Sequence, residues 1–177
     1  MLVLSVRATT RALMRALLVC VVPPVLVGPV AAAPVQGRAE PFGRWQPQVV
    51  ECQRNLEGSA AAACSSVLVD QRSAGVFRVS WPGSGSSPGL ASVLTFVGIL
   101  NGSSEPMVCR QAICSFAKPI EITLSTVSQT MFDSRGVASS LPSAWPASGS
   151  CRLEQARIRC EARALSGETW TAVAQLR

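Results

Sequence analysis

Cys151-Arg152-Leu153-Glu154-Gln155-Ala156-Arg157-Ile158-Arg159-Cys160 is the stretch whose reading decides the fold. Folded back about the Gln155–Ala156 bond, it sets Cys151 opposite Cys160 and Leu153 opposite Ile158. A β-hairpin accounts for both pairings, because strand side chains alternate with a period of two and directly opposed residues share a face. Ile158, Cys160, Ala162 and Ala164 continue the dry face. After a turn at Leu165–Glu168, Trp170, Ala172, Ala174 and Leu176 form the matching face of a last strand. Small alanines opposite Trp170 point to close packing against a second sheet or within a barrel.

Upstream the same pattern repeats. Phe77, Val79 and Trp81 alternate with Arg78 and Ser80, and a turn at Arg72–Gly75 joins them to Val67 and Val69. Leu90–Leu100 is apolar on both parities and rich in β-branched residues, which predicts a strand covered on both faces. Pro119–Ser125 places Ile120, Ile122 and Leu124 on one side, and the slip at Thr126–Val127 predicts a bulge or bend. Val49–Cys64 reads equally as a short helix or as a strand followed by an alanine-rich loop. Asp133–Ser150, rich in Ser, Gly, Pro and Ala, reads as a long loop with Trp145 near its centre, a candidate loop anchor folded back over the core. The fold class that follows is all-β: a small antiparallel sandwich or barrel of meander hairpins, stapled by local disulfides.

The first 32 residues differ from the rest. Arg7, Arg11 and Arg15 precede an apolar run from Ala16 to Val27, and small residues follow, the layout of a secretory signal peptide cleaved after Ala32. The apolar run is about half the ~20 residues a membrane span needs, and Pro23-Pro24 interrupts it. The expected organisation is therefore a signal peptide over 1–32, an extended arm over 33–48 and one all-β domain over 49–177. In the arm, Phe42 and Trp45 are the residues placed to pin it onto the core. Loss of the leader removes its three arginines and leaves 13 basic against 10 acidic side chains, so the net charge falls from +6 to +3. That is too mild to imply a nucleic-acid partner.

Cys20 belongs to the leader, and six cysteines remain in three local couples: Cys52/Cys64, Cys109/Cys114 and Cys151/Cys160. An even number in an exported chain reads as disulfides, in sequence order, and places the protein in a secreted or periplasmic compartment. Zinc binding does not fit, since there is no histidine and no paired C-x2-C knuckle. Cys109 and Cys114 also lack the C-x-x-C spacing of a redox dithiol.

The absence of both histidine and tyrosine removes the usual general bases and any Ser-His-Asp or Cys-His arrangement. Carboxylate pairs could be drawn only from Glu51, Asp70, Glu105, Glu121 and Asp133, and nothing in the sequence brings two of them together. No cofactor and no metal are expected. The wet face of the 151–163 hairpin carries Arg152 opposite Arg159, a like-charge pair that Glu154 and Glu161 or a bound anion must offset. These two arginines are the candidate anion contact, and an anionic ligand or a cell-envelope component is the corresponding partner. The functional expectation is an exported, non-catalytic binding or structural module. The alternatives are a cell-envelope hydrolase using two carboxylates, or a secreted inhibitor or surface-interaction protein.

Overall fold

The computed structural model describes residues 39–56, 60–85 and 89–177, which belong to one compact unit spanning Gln36–Arg177. The leader assigned to residues 1–32, and the first part of the arm, lie outside the described residues. Twelve strands follow in order: β1 (Gly43–Trp45), β2 (Val49–Asn55), β3 (Ala61–Ala63), β4 (Leu68–Ser73), β5 (Val76–Ser84), β6 (Ala91–Leu100), β7 (Val108–Arg110), β8 (Ile113–Ser115), β9 (Ile120–Phe132), β10 (Ser143–Leu153), β11 (Arg157–Ala164) and β12 (Thr169–Leu176). No helix occurs among the described residues, so none is long and apolar enough to cross a membrane.

All twelve strands share one sheet, in the order β3-β2-β12-β11-β10-β9-β6-β5-β4-β1-β8-β7. The chain itself joins the two ends of that ladder. β1 pairs with β4 through Arg44↔Asp70, and a few residues later β2 pairs with β12 through Arg54↔Ala172. Segment 43–55 therefore works as one strand with a neighbour on each side, and the sheet closes into an up-and-down barrel of eight: 43–55, β4, β5, β6, β9, β10, β11 and β12. A bridge between Cys64 and Gly83 fastens the seam again. Closure leaves few open edges on which another strand could add.

Alternation supplies the core. β11 is buried at every second residue, and the inward sets of β5, β9 and β12 bring Trp81, Ile122 and Trp170 fully inside. Closing so small a barrel requires bends, and they fall where the register shifts between Val97 and Gly98 and between Pro146 and Gly149. A Cβ at Gly98 would run into the Thr123 carbonyl, and one at Gly149 into the Glu161 carbonyl, so glycine is what allows the backbones to approach there. The predicted slip at Thr126–Val127 sits on this bend.

The three disulfides are the sequential couples: Cys52–Cys64, Cys109–Cys114 and Cys151–Cys160. Cys151 and Cys160 are register partners, and Glu154 and Arg157 bracket the two-residue turn at Gln155–Ala156. Between Val49 and Cys64 the described residues form strands, not a helix. The inward parity Cys52, Arg54, Leu56 is buried, and the disulfide clips the chain back after β3.

Two expectations are corrected. The arm is not separate from the sheet, because Gly43–Trp45 is a strand of it. Trp45 does pin the chain, edge-on to Phe116 at 4.8 Å, whereas Phe42 is half exposed. Nor does the loop beginning at Asp133 extend to Ser150. β10 starts at Ser143 and pairs with β9 from Ser143↔Gln129 to Pro146↔Thr126. Pro146 stands opposite Thr126 at the edge of the β9–β10 register shift, one residue before the β10–β11 pairing begins at Ala147.

Candidate functional site

The feature that departs most from ordinary strand chemistry is the β7–β8 hairpin. Cys109 and Cys114 are register partners, so only Arg110-Gln111-Ala112-Ile113 remain to reverse the chain. A two-residue reversal of this hand needs positive φ at both central positions, a need usually met by Asn-Gly. Here Gln111 has φ 51° and Ala112 has φ 61°. Each costs about 1–2 kcal/mol relative to right-handed backbone, so the surroundings must hold the turn in place.

They hold it at several points. The Arg44 N–H donates to the Ala112 carbonyl at 2.7 Å, the Ala112 N–H donates to Glu40 Oε2 at 3.2 Å, and the Glu40 N–H donates to the Cys109 carbonyl at 2.8 Å. Beneath the hairpin, Gln71 is buried at 2% exposure. Its Nε2 donates to the carbonyls of Pro41 and Met107, and its Oε1 accepts from the Met107 N–H at 2.7 Å. One side chain thus satisfies three backbone groups that no ladder reaches. Gly43 lets β1 lie against the disulfide, since a Cβ there would stand 2.6 Å from Cys114 Sγ.

This frame presents a coherent surface. Ile113 is 73% exposed, with Phe42 and Val108 about half exposed. A cleft of about 490 Å3 opens between β1, β4 and the turn, bounded by Phe42, Arg44, Asp70, Arg72 and Ala112. Arg44 pairs with Asp70 at 2.9 Å. Arg72 and Arg110 make no salt bridge among the described residues, and neither does Glu40 at the turn, so Arg44, Arg72 and Arg110 stand against Asp70 and Glu40 beside the exposed apolar residues.

The candidate residues read from the sequence lie elsewhere. Arg152 and Arg159 do face one another across β10 and β11. Arg152 pairs with Glu121 and, at 2.7 Å, with Glu154, while Arg159 pairs with Glu161 at 3.0 Å. Glu154 foremost, with Glu121, raises the pKa of the Arg152 guanidinium further. The like-charge pair is thus offset from within the sheet. Trp145 stands on β10, half buried, with its ring 4.9 Å from that of Trp170; it packs on the core as a strand residue, not from a loop.

The five acids do not assemble. Asp70 goes to Arg44, Glu105 to Lys118, Glu121 to Arg152 and Asp133 to Arg135, and Glu51 accepts from Gln53. Among the described residues no group of three or more potential metal ligands forms either.

The sequence reading passed over Arg54. It is 1% exposed, and burial lowers its pKa to about 10. The signal was its place between Cys52 and Leu56 on the inward parity of β2. That parity is legible only once the segment is known to be a strand.

With fold and surfaces in view, the class is a disulfide-fastened, up-and-down β-barrel, whose three cystines fit an oxidising, extracellular-type environment. No protein-family model, curated protein or solved structure matches the chain.

Proposed function

We propose that this chain is an exported, non-catalytic binding module that recognises an acidic protein surface through the Cys109–Cys114 hairpin and the cleft beside it. The observation that carries this reading is the pair Gln111 and Ala112, two non-glycine residues at positive φ, at the tip of a disulfide-closed hairpin that exposes Ile113. Locally unfavourable backbone persists where surrounding contacts over-determine it, and rigid presentation lowers the entropy lost on association. Exposed apolar residues beside arginine are typical of protein-binding surfaces, and the excess of Arg44, Arg72 and Arg110 over Asp70 and Glu40 favours an acidic counterpart.

This reading lies nearest the secreted inhibitor or surface-interaction alternative. Arg152 and Arg159 are not needed for this reading; Arg152 is engaged by Glu154 and Glu121, and Arg159 by Glu161 through Nη2. A hydrolase working through two of the five acids gains no support from their separate engagement among the described residues.

Photo-crosslinking in the native exported fraction tests the reading. With a photoreactive side chain at Gln111, the protein should crosslink to a protein partner, and Ile113→Asp in the same chain should abolish the adduct. A probe at Arg163, on the outer face of β11, should give none. Crosslinks of equal yield from both positions, or none at Gln111, would overturn it.

A further inference from the structure

Asp70 is the only acidic residue that is buried among the described residues. It lies on the outward parity of β4, between Val69 and Gln71, yet is 7% exposed. The other ion pairs use acids whose side chains are between 29% and 73% exposed, whereas that of Asp70 is 10% exposed. A carboxylate covered in this way must be paired, and its partner is fixed at two points. The Arg44 backbone is held between β4 and β8, opposite Asp70 on one side and Ile113 on the other, with its N–H on the Ala112 carbonyl at 2.7 Å. The Arg44 side chain then reaches Asp70 Oδ1 through Nε at 2.9 Å.

That grip leaves the broad end of the guanidinium unused. Arg44 Nη1 and Nη2 meet no acceptor among the described residues, and 59% of the side chain remains exposed. The same side chain lines the cleft of about 490 Å3, together with Asp70, Arg72 and Phe42. Two guanidinium groups thus border one space, and a buried acid orients the first of them.

The acids on the surrounding elements are already engaged. Asp70 holds Arg44, Glu40 accepts from the Ala112 N–H at 3.2 Å, and Glu105 pairs with Lys118 at 2.9 Å. Against them stand Arg44, Arg72 and Arg110, and also Arg78, which is opposite Asp70 on β5 and makes no salt bridge among the described residues. One more carboxylate at the cleft still leaves the arginines in excess.

We infer that Arg44 and Arg72 receive a single carboxylate of the partner protein inside this cleft, with Asp70 as the residue that positions Arg44; the inference rests on the hairpin and cleft being the docking surface. The paired Nη atoms of an arginine match the two oxygens of a carboxylate, and an arginine already fixed through Nε loses less rotamer freedom on binding than a free one. Phe42 supplies an apolar wall beside the contact.

Two peptides serve as probes on the full disulfide-bonded chain at constant ionic strength: acetyl-Gly-Asp-Gly-amide, whose acid is a side chain, and acetyl-Gly-Gly, whose acid is the chain terminus. At millimolar concentration one or both should shift the Arg44 Nε–H resonance saturably, which identifies the source, while acetyl-Gly-Asn-Gly-amide should leave it in place. Arg44→Gln and Arg72→Gln, read at the Ala112 amide, should each weaken the response about tenfold or more. Asp70→Asn separates positioning from plain charge: losing a negative charge should strengthen carboxylate binding, whereas losing the grip on Arg44 should weaken it, and weakening is expected. If that variant fails to fold, solvent exchange in the parent chain decides, because the Arg44 Nε–H should exchange more slowly than that of Arg72. An unmoved Arg44 Nε–H with both acidic peptides, a larger shift with inorganic phosphate, stronger binding in Asp70→Asn, or equal exchange of the two Nε–H groups would overturn the inference. So would Ile113-dependent crosslinking at Gln111 that survives Arg44→Gln with Arg72→Gln, an outcome that keeps the docking surface and removes only its carboxylate. A saturable peptide response in a chain that crosslinks to no protein would instead fail the docking reading and keep the carboxylate site.

Discussion

Arg54 on β2 donates to Ser92 on β6 at 2.6 Å, joining two strands that stand five places apart in the order of the sheet. Only curvature brings them together, so the contact lies across the interior of a closed barrel. With a second donation from the same Nη2 to the Ser92 carbonyl at 3.2 Å, it couples the seam of the barrel to the wall across from it through charged hydrogen bonds.

Ser92→Ala removes the hydroxyl and leaves a buried guanidinium with one fewer acceptor. Hydrogen bonds to charged groups are worth about 1.5–3 kcal/mol, and a loss of that size is expected in urea unfolding with the disulfides intact. Gly83→Ala should cost about 1–3 kcal/mol, because the guanidinium pinned by Ser84 and Ser92 has little room to yield. Neutral behaviour of both variants would mean that the Arg54 cluster does not hold the seam.

The turn at Gln111–Ala112 should be improvable. Gln111→Asn together with Ala112→Gly supplies the residues that prefer its backbone geometry and should stabilise the protein by about 1 kcal/mol. The crosslinking partner should nevertheless be retained, because Ile113 and the rim arginines are untouched. Thermal unfolding of the double variant reads the first effect.

Non-reducing peptide mapping should recover the three sequential pairs. Cys151→Ala with Cys160→Ala should cost about 2–3 kcal/mol by the chain-entropy model, with the variant still folded because the β10–β11 ladder and its buried face remain. Denaturant titration of the variant against the parent measures the cost.

Acid stability should depend on Asp133. The Val137 N–H first, then the Arg135 side chain, lower its pKa below the ordinary 3.8. Its contribution is therefore fully present above about pH 4, where the unfolded carboxyl is also ionised, and is lost as pH falls through the lower folded value. Asp133→Asn should be less stable than the parent at pH 6, and the gap should close toward pH 2.

Much of the fold was legible because alternation was clean where both neighbours of a strand were regular. Ile158–Ala164, Trp170–Leu176 and Ile120–Leu124 all kept their predicted faces, and the three cysteine couples followed from spacing. Where polar or small residues served an inward face, the pattern failed. Ser143–Ser150 resembles a loop by composition, yet it is held by pairing with β9 and by the Trp145–Trp170 contact, neither of which is local in sequence. The site was less legible still. Exposed arginines at 152 and 159 drew attention because they are close in sequence, while Arg54, Gln71 and the Gln111–Ala112 backbone acquire meaning only from strands brought together by closure.

Amide hydrogen exchange on the protein with its crosslinked partner, compared with the free protein, bears most directly on the proposed role. Slowed exchange should be confined to Val108–Cys114 and the Phe42–Arg44 segment beside the cleft. Protection centred instead on the Arg152–Arg159 face of β10 and β11, with the hairpin unchanged, would contradict it.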